Sequence, residues 1–233
     1  MTLSRKLEPE VMDTVEDAEQ YNDMDHSEVN QQFVDQLLLF LGEQADFKSR
    51  LDDDEGDLIG VLDVGTGTAL IPAMLCDQYA AFKVIAIDMA SSMLELANYN
   101  IHASSRGDRI QLEQADAKDL EYDSEMFDVV MSNSIVHHIH QPDQCVAEMI
   151  RVLKPGGAVF VRDLMRPQTM ETLEAIVQTY AGEETEYSQQ LFRQSLHAAL
   201  TLDEVRQLVS DCGWNPDGVE ATSDRHWTWA AVG

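Results

Sequence analysis

Val61-Leu-Asp-Val-Gly-Thr-Gly67 runs an apolar strand into two glycines at alternate positions, and the segment behind it, Ala69–Tyr79, carries helical spacing. Glycine at such a strand-to-helix turn lets the backbone come close to a ligand. A dinucleotide site would want a third glycine for helix packing where Leu70 stands, so the loop by itself does not select a ligand. Val84-Ile-Ala-Ile-Asp88 then ends a second apolar run in a carboxylate. At the carboxyl edge of a neighbouring strand, that group suits a pair of ribose hydroxyls.

Working outward, strand-like and helix-like runs alternate. The strands are Ile59–Val64, Phe82–Ile87, Arg109–Glu113, Phe127–Ser132 and Ala158–Asp163; the helices between and after them are Ala69–Tyr79, Ser92–His102, Pro142–Leu153 and Thr169–Tyr180. Such alternation predicts an α/β fold, a doubly wound Rossmann-like sheet that is mostly parallel with helices on both faces. Lys154-Pro-Gly-Gly157 is read as the turn between the Pro142–Leu153 helix and the fifth strand. Farther on, Thr201-x-x-Glu204 is a capping box that opens a helix stopping at Gly213. Gly218–Thr222 and Arg225–Ala231 read as a terminal antiparallel hairpin, with Trp227 and Trp229 as packing residues.

Before the sheet, Val29, Phe33, Val34, Leu37, Leu38 and Leu41 recur with helical spacing after Ser27, and an acidic run follows at Leu51–Asp57. Residues 1–57 are therefore expected as a helical cap with an acidic linker, 58–233 as the main domain, and 164–213 as a helical substrate cover. Tyr21, Asn22, Asp25 and His26 form a polar group that either folds over a ligand or caps the surface.

Fifteen basic against 43 acidic residues give a formal charge of −28, which repels polyanions and argues against nucleic acid and anionic membrane as partners. The acidity fits either a surface suited to high salt or an ordinary acidic enzyme. No segment approaches the length of a membrane span, and no signal peptide is expected. Cys76, Cys145 and Cys212 are odd in number and widely spaced, so the expectation is a reduced, cytoplasmic protein, monomeric or homodimeric.

Five motifs in order, Leu62-Asp-Val-Gly-Thr-Gly67, Ile87-Asp88, Gln114-Ala-Asp-Ala117, Phe127-Asp-Val-Val-Met-Ser132 and Leu153-Lys-Pro-Gly-Gly157, resemble those of class I S-adenosylmethionine-dependent methyltransferases. The resemblance covers Leu58 to Asp163 and reaches more loosely to the terminal hairpin. It implies that Asp63, Gly65, Thr66 and Gly67 surround the methionine part of S-adenosylmethionine, that Asp88 binds the ribose, and that Asp116 with Ala117 meets the adenine. Met89 would lean on the adenine, and Ser132 and Asn133 would line the cofactor from the fourth strand. The family often has a glycine where Ala69 stands.

His137 and His138 follow the fourth strand, where one ring could take a proton from a hydroxyl, thiol or amine. Adjacent histidines are expected to project differently, so at most one should face a pocket. With His140 they make no expected metal site, since no carboxylate lies at ligand spacing. Arg162 and Asp163, at the end of the fifth strand, are read as a substrate contact or, preferably, a structural ion pair. The resulting expectation is methyl transfer to a small-molecule acceptor, with S-adenosylhomocysteine released. A non-catalytic nucleoside-binding module is the alternative. A nicotinamide-dependent oxidoreductase would need the third glycine, which is absent, and a hydride-transfer constellation such as Tyr-x-x-x-Lys.

Overall fold

The computed structural model describes residues 3–9, 13, 18, 27–53, 56–104 and 107–233. Tyr21, Asn22, Asp25 and His26 lie outside the described residues. In chain order the elements are α1 (Ser27–Gly42), α2 (Ala45–Leu51), β1 (Ile59–Val64), α3 (Leu70–Gln78), β2 (Phe82–Asp88), α4 (Ser91–Ala103), β3 (Ile110–Gln114), β4 (Phe127–Asn133), α5 (Pro142–Val152), β5 (Leu153–Leu164), α6 (Met170–Ala181), α7 (Glu186–Ala198), α8 (Leu202–Asp211), β6 (Val219–Ala221) and β7 (His226–Val232).

The seven strands form one sheet in the order β3-β2-β1-β4-β5-β7-β6. β1 pairs parallel with β2 and β4, β2 pairs parallel with β3, and β6 pairs antiparallel with β7. This is the expected mostly parallel sheet with antiparallel C-terminal strands. The register sets Val64 opposite Ile87 and Asp88 opposite Gln114, so the carboxyl ends of β1, β2 and β3 lie level. Runs such as Ile59–Val64 are apolar almost throughout because a central parallel strand is covered on both faces.

The described chain divides into two compact units, with β5 and β7 running through both. One comprises the described residues of 13–133 with 148–161 and 230–233. Its core joins Phe33, Val34, Leu37 and Leu41 of α1 to Ile59, Val61, Phe82 and Phe160 of the sheet, all buried. The rings of Phe33 and Phe160 meet edge to face at 5.2 Å. The apolar stripe on α1 is thus core, built into the same cluster as the strands.

The turn expected at Lys154-Pro-Gly-Gly157 is instead the start of β5. Gly156 keeps a φ of +75° yet donates its amide to the Gly233 carbonyl at 2.8 Å, and Gly233 returns a bond to Gly157 at 3.0 Å. Pairing with the chain's last residue holds the segment extended, which local turn chemistry does not anticipate.

The second unit contains residues 3–9, 134–147 and 162–229. Leu164, Leu173, Ile176, Val177, Leu196 and Ala199 form its small core, with Leu3 and Phe192 against it. Both halves of the Thr201–Glu204 capping box are present: the Thr201 hydroxyl accepts from the Glu204 amide, and the Glu204 carboxylate accepts from the Thr201 amide. Thr201→Ala should cost about 1 kcal/mol. A thermal melt should register this as a fall of roughly 2–4 °C.

Candidate functional site

β1 delivers Asp63 and then the glycine loop. Gly65 and Gly67 take φ of 73° and 55°, the left-handed region that glycine enters without a side-chain penalty. The amides of Gly65 and Thr66 donate to the Ile87 carbonyl at 2.9 and 2.8 Å, fixing the loop to β2. Ala69, where the third glycine of the resemblance would stand, adopts φ 57° and ψ 28° as the residue before α3. The backbone shape survives the missing glycine, with alanine held in a conformation costing about 1–2 kcal/mol.

Asp63, Gly65, Thr66 and Asn133 line one pocket, together with Asn30, Thr68, Leu70 and Ile71. Asp63 is 3% exposed, and burial pushes its carboxyl up to about 7, with Asp88 adding to the rise and Thr66 working against it. The Thr66 hydroxyl is itself buried without a well-formed hydrogen bond. A buried acid and a buried hydroxyl in one pocket suit the ammonium and carboxylate of an amino acid, such as the methionine part of S-adenosylmethionine.

Asn30 is a pocket residue that the sequence reading passed over. It is buried on α1, three and four residues ahead of Phe33 and Val34. Its signal was available, as an amide in phase with an otherwise apolar stripe.

Asp88 joins two pieces of backbone. Its Oδ2 accepts from the Gly67 amide at 2.8 Å and its Oδ1 from the Ala90 amide at 2.9 Å, so the acid braces the loop and also opens α4. Burial raises its pKa, against the pull of these amides. Met89 is exposed, and its carbonyl accepts from the Gln114 side chain at 2.9 Å, tying the ends of β2 and β3. After β3, burial acts to raise Asp116, but the Lys118 amide at 2.9 Å and ammonium at 3.0 Å hold it below the usual range. Ala117 beside it is buried. Ser132 is fully buried, and its hydroxyl donates to the Val64 carbonyl at 2.8 Å, so that group is spent on joining β4 to β1. Asp88, Met89, Asp116, Ala117 and Ser132 are not in the lining of the pocket.

The histidines belong to the other unit, on a turn held by bonds from His138 to Ile135 at 3.0 Å and Ile139 to Val136 at 3.2 Å. Both rings converge where divergence was expected, 4.1 Å apart and 36° from parallel. The turn curls the backbone, and adjacent side chains come to the same side. His137 is buried with Nδ1 at 2.6 Å from Asp163 Oδ1, and its amide donates to Asp163 Oδ2 at 3.2 Å. The preferred Arg162–Asp163 pair gives way to this arrangement: Asp163 turns to His137, while Arg162 donates to Thr228 Oγ1 at 3.3 Å.

A carboxylate absent from the local sequence also arrives. Glu8 sets Oε1 3.1 Å from His138 Nδ1 and 3.7 Å from His137 Nε2. Glu8, His137 and His138 therefore stand at ligand spacing, which corrects the expectation that no carboxylate does so. Burial raises Glu8. Burial works to lower His137, but the charge and hydrogen bond of Asp163 outweigh it, and Glu8 adds to the rise. His138 is pushed down to about 3 by burial and by His137.

A methyltransferase-domain family model matches residues 62–161. The 27-O-demethylrifamycin SV methyltransferase of Amycolatopsis mediterranei is 28% identical over 174 residues, 73% of this chain and 60% of that relative. The demethylmenaquinone methyltransferase of Lactobacillus johnsonii is 32% identical over 127 residues, 54% and 51% of the two chains. The chain thus spans about half the length of the curated relatives it matches. Among solved structures, the plantazolicin methyltransferase BamL, in complex with a desmethyl substrate analogue and S-adenosylhomocysteine, superposes with a TM-score of 0.68 at 17% identity, covering 88% of this chain and 70% of that one. At that identity the likeness is one of fold. Residues 62–161 thus match a methyltransferase domain, and the ordered motifs and the strand order agree with the resemblance to class I S-adenosylmethionine-dependent methyltransferases.

Proposed function

We propose that this protein methylates a small-molecule acceptor from S-adenosylmethionine and releases S-adenosylhomocysteine. The observation that carries the reading is the pocket at the end of β1, where buried Asp63 and the Thr66 hydroxyl beside it stand with Asn30 and Asn133. Asp63 would meet the ammonium, Thr66 and the backbone of Gly65 and Gly67 would surround the methionine part, and Asp88 would take the ribose. Met89, Asp116 and Ala117 are assigned to the adenine and Asn133 to the cofactor's lining from β4, while the Ser132 hydroxyl joins β4 to β1.

When bound, the cofactor supplies an electrophilic sulfonium methyl that needs little further activation. Asp63, Thr66 and the glycine loop would hold it so that this methyl could pass in line to an O, N, S or C acceptor, the carbon–sulfur electron pair remaining on the released S-adenosylhomocysteine. Holding the reacting atoms about 3–3.5 Å apart can supply much of the rate. Of the two histidines, His137, whose tautomer Asp163 sets, is the one assigned to take a proton from the acceptor, since His138 is pushed down to about 3. The charge of −28 favours a small acceptor over nucleic acid, as do two relatives named for demethylated small molecules.

Titration calorimetry tests the cofactor assignment. Micromolar binding of S-adenosylmethionine and S-adenosylhomocysteine, with none of NADH, is the expected result; NADH binding, or no binding of the sulfur nucleosides to folded protein, overturns it. Asn30→Ala should weaken S-adenosylhomocysteine about 3- to 10-fold, the size of one neutral hydrogen bond. Unchanged affinity would remove Asn30 from the cofactor pocket.

A further inference from the structure

We infer that Glu8, His137 and His138 form a binding site for one divalent transition cation of the zinc type, with Asp163 as the outer group that orients His137. The binding is independent of the methyl-transfer reading.

Ligand atoms around a tetrahedral ion at 2.0–2.1 Å lie about 3.3–3.4 Å from one another. Glu8 Oε1 stands 3.1 Å from His138 Nδ1 and 3.7 Å from His137 Nε2, on either side of that value, and the three ligand atoms all lie within 4.8 Å. These are spacings that a shared ion would even out with small rotations of the side chains.

Hydrogen assignment strengthens the case. His137 Nδ1 faces the carboxylate oxygen of Asp163, which only accepts, so in the neutral ring the proton sits on Nδ1 and Nε2 is bare. His138 makes its ring hydrogen bond to the Pro9 backbone, and its Nδ1 has no hydrogen-bond partner. Glu8 Oε1 likewise has none. With His137 neutral and Glu8 ionised, three acceptor lone pairs converge in a buried place, an arrangement that a bound cation or a proton relieves.

The surroundings are built to hold the three groups. Asp163 accepts from the His137 ring, the His137 amide and, at 2.5 Å, the Leu164 amide, so it is saturated as an orienting group rather than open as a ligand. Arg5 clamps the segment bearing Glu8: its guanidinium donates to the carbonyls of Ala198 at 2.6 Å, His137 at 3.3 Å and Ile139 at 3.1 Å. The Ser195 hydroxyl donates to Glu8 Oε2 at 3.4 Å, leaving Oε1 for the cluster.

Two imidazoles and one carboxylate suit borderline ions such as zinc, cobalt(II), iron(II) or manganese(II) rather than calcium or magnesium. Three protein ligands leave a fourth position for a small molecule, the pattern of reactive rather than closed structural sites.

The test is calorimetric titration of EDTA-treated full-length protein with Zn2+, with Co2+ absorption as a second probe of coordination. One ion per chain is expected, with the visible bands of four-coordinate Co2+. Glu8→Gln, close in shape, and His138→Ala should each weaken binding by at least ~10-fold, and Asp163→Asn by about 10- to 100-fold. Cys212→Ser, at the one cysteine that is not buried, and Asp63→Asn should leave it unchanged. Thermal melts accompany each variant, and Glu8→Gln decides the matter if His138→Ala does not fold. Absence of stoichiometric binding to the folded wild type, or binding undiminished in Glu8→Gln, overturns the site. Binding of S-adenosylhomocysteine is measured on the same samples, so loss of the metal site and loss of the cofactor reading register separately.

Discussion

Asp63→Asn is expected to stabilise the cofactor-free protein at pH 8 by about 3–4 kcal/mol while weakening its hold on S-adenosylmethionine. The first effect follows from burial. A carboxyl that titrates near 3.8 in the unfolded chain is pushed up to about 7 in the folded one. Between those values the native state binds a proton that the unfolded state has released, so stability falls as pH rises from about 4 to about 7. Three units at about 1.4 kcal/mol each set the size of the loss above pH 7. Asparagine keeps the shape and carries no charge, so the difference between variant and wild type should vanish near pH 4 and reach its full size above pH 7.

The second effect has the opposite sign. An ammonium brought to Asp63 converts a costly buried anion into half of an ion pair, and the amide cannot replace it. Chemical denaturation across pH, paired with calorimetry, reads both. A variant no more stable than wild type at pH 8 would mean that the carboxylate is already compensated by protein groups. A stabilised variant that binds S-adenosylmethionine as well as wild type would move the ammonium elsewhere. The pairing of instability with affinity is what a ligand site is expected to display, since its groups are arranged for a partner that folding alone does not provide.

How far the sequence disclosed this protein varies with the range of the interaction concerned. β1 was legible to the residue because a central parallel strand is an unbroken apolar run, and the glycine loop because two left-handed turns demand glycine. The capping box was legible because both its partners lie within four residues. Lys154-Pro-Gly-Gly157 was misread because its extended form depends on Gly233, far along the chain. Ser132 carries the right motif position, but its hydroxyl is consumed by Val64 of a neighbouring strand. Glu8 had no local signal at all: its place beside His137 and His138 depends on Arg5 finding carbonyls on two distant segments. Motifs thus disclosed the residues at the ends of consecutive strands and left the cluster around His137 obscure.

Asp88→Ala should raise the dissociation constant of S-adenosylhomocysteine about 10- to 100-fold, the equivalent of about 1.5–3 kcal/mol for lost hydrogen bonds to a charged group. Two routes lead to that loss. The carboxylate would no longer meet the ribose hydroxyls, and the Gly67 and Ala90 amides would lose their shared acceptor, freeing the loop from the start of α4. Asp88→Asn separates them, because its single carbonyl oxygen can still receive one amide while the charge is gone. If ribose binding dominates, the asparagine variant should lose most of the affinity with little change in melting temperature. If loop bracing dominates, affinity and melting temperature should fall together in alanine and recover together in asparagine. Adenosine, which carries the ribose without the methionine part, gives the cleaner reading: its affinity should fall in both variants, and an unchanged value would take the ribose away from Asp88.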